Sequence, residues 1–400
     1  MQIQIKQSNQ VTANQFALFN LGFRPFFLGA GIFAIISITS WMLAYFSYDV
    51  INVTNISISQ WHAHEMLYGY SMAVVTGFLL TAVKNWTGIP TLSGKPLILL
   101  FMLWCTARVL FLFGTTFLPW VAIADLLFGL MLIIAIAIPI TKAKQWKQLA
   151  VLSKVILLWV GNIVFYLGCF GVMTNGMQFA INGAVLLFVS LILMIGRRVI
   201  PFFIERGTEA RVILKQYKWL DISIMLFFIA LFINVIFLQI SQLTAWLAWP
   251  LFALNGYRLL NWHVAGIWRV PLLWSLYLSA WLVNIGFFFY GLQVQFSNLS
   301  ILTLHIFTIG GIGLITLGMM CRVALGHTGR DIRKPSRWLA LVFTGIIASV
   351  VFRVFIPMLT EQAYTSWVLV AAILWILSFA IFVWIYTPIL LKPRADGMTG

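Results

Sequence analysis

The chain has 400 residues, of which 62% are hydrophobic and only 8% charged, with 34 Phe, 18 Trp and a net charge of +16. A soluble globular domain carries about 25% charged residues, so this composition excludes one and reads as an all-α, polytopic membrane protein. Cys105, Cys169 and Cys321 lie far apart in apolar stretches without C-x-x-C spacing, which excludes a thiolate zinc site and a disulfide framework.

The chain opens on a polar, Gln-rich stretch whose one early charge is Lys6. It has no basic n-region, short apolar core or cleavage site, so it is expected to stay on the protein rather than leave as a signal peptide. About twelve apolar spans follow, each near the ~20 residues that a hydrocarbon core of roughly 30 Å requires. In chain order they are Phe23–Phe46, His62–Val83, Pro96–Phe113, Leu118–Ile140, Val155–Val172, Met177–Ile200, Trp219–Gln239, Leu243–Leu260, Pro271–Leu292, Leu299–Arg322, Trp338–Pro357 and Ala363–Pro388.

Lys and Arg fall on alternate connections: Lys6 with Arg24, Lys84 with Lys95, Lys142 through Lys154, Arg197 through Lys218, Arg258 with Arg269, Arg322 through Arg337, and Lys392 with Arg394. By the positive-inside rule both termini are expected in the cytoplasm. The expected organisation is therefore a cytoplasmic segment 1–22, one membrane bundle 23–391 and a cytoplasmic tail 392–400. The positive charge is this topological signal and is not gathered on a soluble face, so no nucleic-acid partner is expected; the partner is the lipid bilayer. Every connection is short, which places any activity inside the bundle. No motif pair repeats between the halves, which weakens a transporter built from repeats.

Ionisable groups inside a membrane are expensive and mark function. Trp61-His62-Ala63-His64-Glu65 sets two of the five histidines and one of the nine acids at the mouth of the second span. With the orientation above, His305 lies about six residues, or roughly 9 Å, below the outer end of the tenth span. Arg108, Asp125 and Arg353 fall in the same half, and Arg108 and Asp125 are expected partners. Metal or haem ligation through His62, His64 and His305 competes with a reading of His62 and His64 as interfacial residues beside Trp61. Arg108 and Arg353 are either structural or hold haem propionates.

Residues two apart point roughly 200° away from each other on a regular helix. Either the helix begins near His64 and His62 reaches in from the loop, or the two histidines have separate duties. His64 is followed four residues later by Tyr68, a pairing that resembles the redox-active pair of haem-copper oxidases; Tyr68 and Glu65 are the candidate catalytic groups. Tyr68 also stands where H-E-x-x-H requires its second histidine, which excludes a zinc protease. On the other side lie His263 and His327, either solvated or parts of a second, inner site. Gly310, Gly311, Gly313 and Gly318 accompany His305 and allow close approach of either a helix or a macrocycle.

Several strings together resemble the NnrS family: Phe23-Arg24-Pro25-Phe26-Phe27, Trp61-His62-Ala63-His64-Glu65-Met66, Gly77-Phe78-Leu79-Leu80-Thr81-Ala82-Val83 with Asn85-Trp86-Thr87-Gly88, and Gly196-Arg197-Arg198 with Pro201-Phe202-Phe203. Asn261-Trp262-His263, Pro271-Leu272-Leu273-Trp274 and Gly326-His327-Thr328-Gly329-Arg330 continue the match almost end to end. The resemblance implies a multi-pass protein of the bacterial cytoplasmic membrane that contains haem and copper and serves nitric oxide metabolism or protection against nitrosative stress. It makes His62, His64, His305, His263 and His327 ligand candidates, and an oxidoreductase acting on NO or a related nitrogen species the implied activity if there is turnover, with a redox partner it does not name. It also leads one to expect a histidine where Tyr277 stands. The rival from another class is a metal-free transporter or proton-coupled permease using Glu65, Arg108, Asp125 and Arg353; a haem-assembly factor is a third reading.

Overall fold

The computed structural model describes residues 16–46, 51, 54–209, 212–296, 299–360 and 362–398. Most of the expected segment 1–22, with Lys6, lies outside them. Among the described residues there are helices and no strands. The long helices are α1 (Phe23–Tyr45), α2 (Ile58–Thr87), α3 (Lys95–Leu112), α4 (Leu118–Lys142), α5 (Leu149–Cys169) and α6 (Gly176–Gly207). They continue as α7 (Lys218–Leu238), α8 (Ser241–Asn261), α9 (Pro271–Leu292), α10 (Ser300–His327), α11 (Trp338–Leu359) and α12 (Tyr364–Leu391). Eleven of these regions are long and apolar enough to cross a membrane. The remaining one, α8, has 21 residues but contains Gln242, Asn255, Arg258 and Asn261.

Helices are the form that lets each span satisfy its own backbone where no water is available. Several boundaries differ from the sequence expectation: α5 begins at Leu149, six residues before Val155, and α10 runs to His327, five past Arg322. The basic stretch from Arg197, expected as part of the connection that runs to Lys218, is helical as far as Gly207, so α6 runs for 32 residues; Arg and Lys are good helix formers. Helix α2 begins at Ile58, four residues before its expected start, because Ser57 and Gln60 form a reciprocal cap: the Gln60 amide donates to Ser57 Oγ at 3.1 Å and the Ser57 amide to Gln60 Oε1 at 2.8 Å. His62 and His64 therefore both ride on the helix, and the loop alternative for His62 falls.

Sequential helices pack against one another, and α1 closes against α12. That closure is fixed by Arg24, whose Nη1 donates to the carbonyls of Leu390 at 2.9 Å and Lys392 at 2.7 Å, capping the end of α12. Because lipid offers no hydrophobic drive for helix association, close packing and hydrogen bonds carry it. The α10 glycines serve this role: a Cβ on Gly310, Gly311, Gly313 or Gly318 would press on Leu282, Val283, Trp375 or Leu276 respectively, all side chains of α9 and α12. Macrocycle clearance is not what they provide.

Among the described residues four helices contain a π-helical stretch: Glu65–Ser71 in α2, Asn234–Leu238 in α7, Ile306–Gly313 in α10 and Val351–Phe355 in α11. A π turn re-aims the side chains around it and disturbs the i→i−4 hydrogen-bond ladder, and such turns concentrate at functional sites. Side chains meet carbonyls in two of these stretches. Trp104 Nε1 on α3 donates to Gly69 O at 3.0 Å, Ser71 Oγ donates to Met66 O at 2.7 Å, and Ser279 Oγ on α9 donates to Gly311 O at 2.9 Å. The stretches in α2, α10 and α11 all border one cavity.

Candidate functional site

The polar groups at the His62 end of the bundle divide into two assemblies. The first is a closed network on the side of α2 that faces α3, α4 and α5. Arg108 on α3 joins Glu65 through Nη1 and Asp125 on α4 through Nη2, the latter at 2.7 Å. Asp125 Oδ2 also accepts from Asn162 Nδ2 and from the Tyr166 hydroxyl, both on α5 and both at 2.9 Å. His64 Nδ1 lies 2.9 Å from Glu65 Oε1 and its Nε2 lies 3.0 Å from Asn162 Oδ1. All these side chains are buried, and Gly69 leaves room for the guanidinium, since a Cβ there would stand 2.8 Å from Arg108 Nη1.

Buried charges persist only when paired, and this network pairs its charges with groups from four helices, while Glu65 Oε2 and Arg108 Nε are buried without a hydrogen-bond partner. Both nitrogens of His64 are engaged, so His64 offers a metal neither lone pair. The expected Arg108–Asp125 partnership is present and extends to Glu65. The Tyr68 hydroxyl donates to Ala180 O at 3.0 Å. Neither Tyr68 nor Glu65 borders the cavity that receives His62.

The second assembly is that cavity, about 290 Å³, between α1, α2, α6, α10, α11 and α12. His62 and His305 both line it, as does Arg353. The His62 ring stacks on Trp41 with centroids 4.5 Å apart and planes inclined by 25°, and its Nδ1 is buried without a hydrogen-bond partner. His305 Nδ1 lies 2.7 Å from the carbonyl oxygen of Ile301. A carbonyl only accepts, so Nδ1 carries the proton and a neutral ring keeps its lone pair on Nε2. Arg353 lies 5.5 Å over the Tyr364 ring, with Nη1 buried and unpartnered.

Tyr70 is the α2 tyrosine that borders this cavity. Its hydroxyl lies 2.7 Å from Thr316 Oγ1, which itself donates to the carbonyl of Ile312 at 2.6 Å, so Tyr70 is the donor of the pair. The remaining wall is largely apolar, with Trp375 and Met66 among its larger side chains. The spacing of two residues that separates His62 from His64 thus sends one imidazole into a cavity and the other into a salt-bridge network.

The two histidines at the opposite end do not share a site. His263 accepts from Trp268 Nε1 at Nε2, 3.1 Å away, and its ring lies 6.0 Å from that of Tyr277, whose hydroxyl donates to Leu259 O. His327 lies 5.9 Å from the Phe23 ring, beneath a tail strap in which Arg394 Nη1 donates to its carbonyl. Among the described residues no three His, Cys, Asp or Glu side chains are grouped to hold a metal ion. The sequence reading missed Trp41, Tyr70, Asn162 and Tyr166. Asn162 and Tyr166 carried a signal, a polar pair four residues apart in an apolar span; Trp41 and Tyr70 are ordinary aromatic residues until the helices are assembled.

No curated protein matches this chain significantly. The family model described as NnrS protein matches residues 17–394, nearly the whole chain, and the protein belongs to the NnrS family.

Proposed function

We propose that the cavity holding His62, His305 and Arg353 is the haem site of a multi-pass bacterial cytoplasmic-membrane protein that acts on, binds or senses nitric oxide under nitrosative stress. The observation that carries this reading is the combination of two imidazoles and one guanidinium, each with a nitrogen that the protein leaves available, around a single aromatic-walled cavity. A metal-ligating histidine commonly anchors its other ring nitrogen on a backbone carbonyl, which is the arrangement of His305. Trp41 fixes the ring plane of His62. Arg353 would pair a propionate, and the apolar wall excludes water while admitting a small apolar gas. Bound haem would supply an iron centre able to bind NO and exchange one electron.

Copper suits imidazole ligands, but beyond the two in this cavity the described residues offer it no grouped set, so none is assigned to it. Tyr70 replaces Tyr68 as the tyrosine placed to assist chemistry there. The transporter reading loses ground because Glu65, Arg108 and Asp125 bind one another. Topology follows the charge pattern, with the basic connections cytoplasmic and the cavity near the periplasmic face.

The test is the purified protein in detergent: a Soret band changed by NO after reduction, with iron by elemental analysis, supports the site. Colourless, metal-free, folded protein ends it, and substoichiometric haem indifferent to NO favours an assembly factor. Single alanine variants at His62, His64, His263 and His305 then locate the ligands.

A further inference from the structure

A second cavity, about 470 Å³, opens between α6, α9 and α10, with an uncharged, hydrogen-bonding rim. Gln178 and Asn182 come from α6, Gln293 directly follows α9 and Ser300 begins α10. These positions lie at helix ends, where the bundle meets water. Gln178 Nε2 donates to Asn182 Oδ1 at 3.0 Å, leaving the Asn182 amide group and that of Gln293 as donors, and among the described residues no carboxylate borders the space.

The inner wall of this second cavity is Val185, Ile301 and Leu304, and the same three residues also line the cavity of His62 and His305. From Gln178 to Val185 is about 10 Å along the helix. A polar-rimmed well thus ends on one layer of aliphatic side chains, with His305 beyond it. Leu304 precedes His305, and the Ile301 carbonyl holds its Nδ1, so the barrier and the imidazole occupy the same helical turn. Tyr45, Arg353 and Tyr364 border the first cavity but not the second.

We infer that the second cavity is an aqueous port through which small hydrophilic nitrogen species, triatomic anions of the nitrite or azide type, reach and leave the His305 side of the main cavity, gated by Val185 and Leu304. Amide donors solvate such anions, and the absence of carboxylates spares them repulsion. An apolar gas has no need of the port, because it crosses the lipid-facing surface. The destination rests on the haem reading, whereas the existence of the port does not.

Two measurements test it. Cysteine at Leu304 (L304C) should react with a charged, membrane-impermeant methanethiosulfonate within about tenfold of the rate at rim position S300C, a difference of at most roughly 1.4 kcal/mol in barrier. The wild-type chain, with Cys105 half-buried and Cys169 and Cys321 buried, supplies the background. In haem-loaded protein, V185W should slow azide binding about tenfold or more while leaving CO binding within about twofold; L304W is the second variant should V185W misfold. An inert L304C beside a reactive S300C, or equal slowing of azide and CO, overturns the port. If purified protein shows no Soret band, the haem reading fails and the port is decided by labelling L304C with and without S300W, which fills the second cavity alone: slower labelling with S300W supports the port and an equal rate overturns it.

Discussion

His62 and His64 leave the same turn of α2 in opposite directions: His62 stacks on Trp41 at the cavity, while His64 lies between Glu65 and Asn162 in a closed network. Alanine at His62 or His305 should therefore lower the haem-to-protein ratio of purified material, with His305 the larger loss because its lone pair is oriented by Ile301. Alanine at His64 should lower the thermal midpoint while any folded fraction keeps its haem. Loss of haem from a fully stable His64 variant would reverse the assignment.

Arg108 neutralises two buried carboxylates. Replacing it with Met strands both, and breaking a buried pair in this way costs about 3–5 kcal/mol. Tyr166→Phe removes one hydrogen bond to Asp125 and should cost about 1–3 kcal/mol, since a buried acceptor loses a partner. Thermal unfolding in detergent reads both, and an unchanged midpoint in R108M would mean that the network carries little stability.

Trp104 supplies a donor to the Gly69 carbonyl in the π stretch of α2. Trp104→Phe keeps most of the ring but removes one of two donors to that carbonyl, which keeps the Met72 amide, at a cost of about 0.5–1.5 kcal/mol. Ser279→Ala does the same at Gly311. Because these π stretches border the haem cavity, the Soret position should shift in both variants, whereas Trp159→Phe, whose indole bonds Leu126 O outside any π stretch and away from that cavity, should change stability without moving the Soret band.

Arg353 has a buried, unpartnered Nη1 at the cavity. If it pairs a propionate, Arg353→Gln should raise the rate of haem transfer to an apo-globin acceptor about tenfold, equivalent to roughly 1.4 kcal/mol, and Arg353→Lys should recover part of it. Unchanged transfer in both variants would leave Arg353 without a role in binding.

The tail strap links Ala395 to Thr328 O at 2.9 Å, with Arg394 paired to Asp396. The hydrogen bonds from Arg394 hold the Asp396 carboxyl down to about 2, below the ~3.9 of a free aspartate. Its contribution is thus fully present above about pH 4 and is lost as pH falls through about 2. A spin label at M398C should become mobile over that window. Gly329→Ala should loosen the strap at neutral pH, because φ there is +71° and a Cβ would meet Asp396 at 2.5 Å.

The sequence alone determined the number, order and approximate extent of the helices, because a membrane forces every span to be long, apolar and satisfied within itself. It also determined that His62 and His64 would part company, since helical periodicity is a local property. What it left open was decided by tertiary structure: that Arg108 would reach Glu65 as well as Asp125, that Tyr70 rather than Tyr68 would meet the cavity, and that His62 would find His305 and Arg353 while His263 and His327 found nothing in common. These pairings join residues far apart in the chain. They depend on which helices pack together and on π stretches that change the phase of a helix partway along, and neither is written in the hydropathy of a single span.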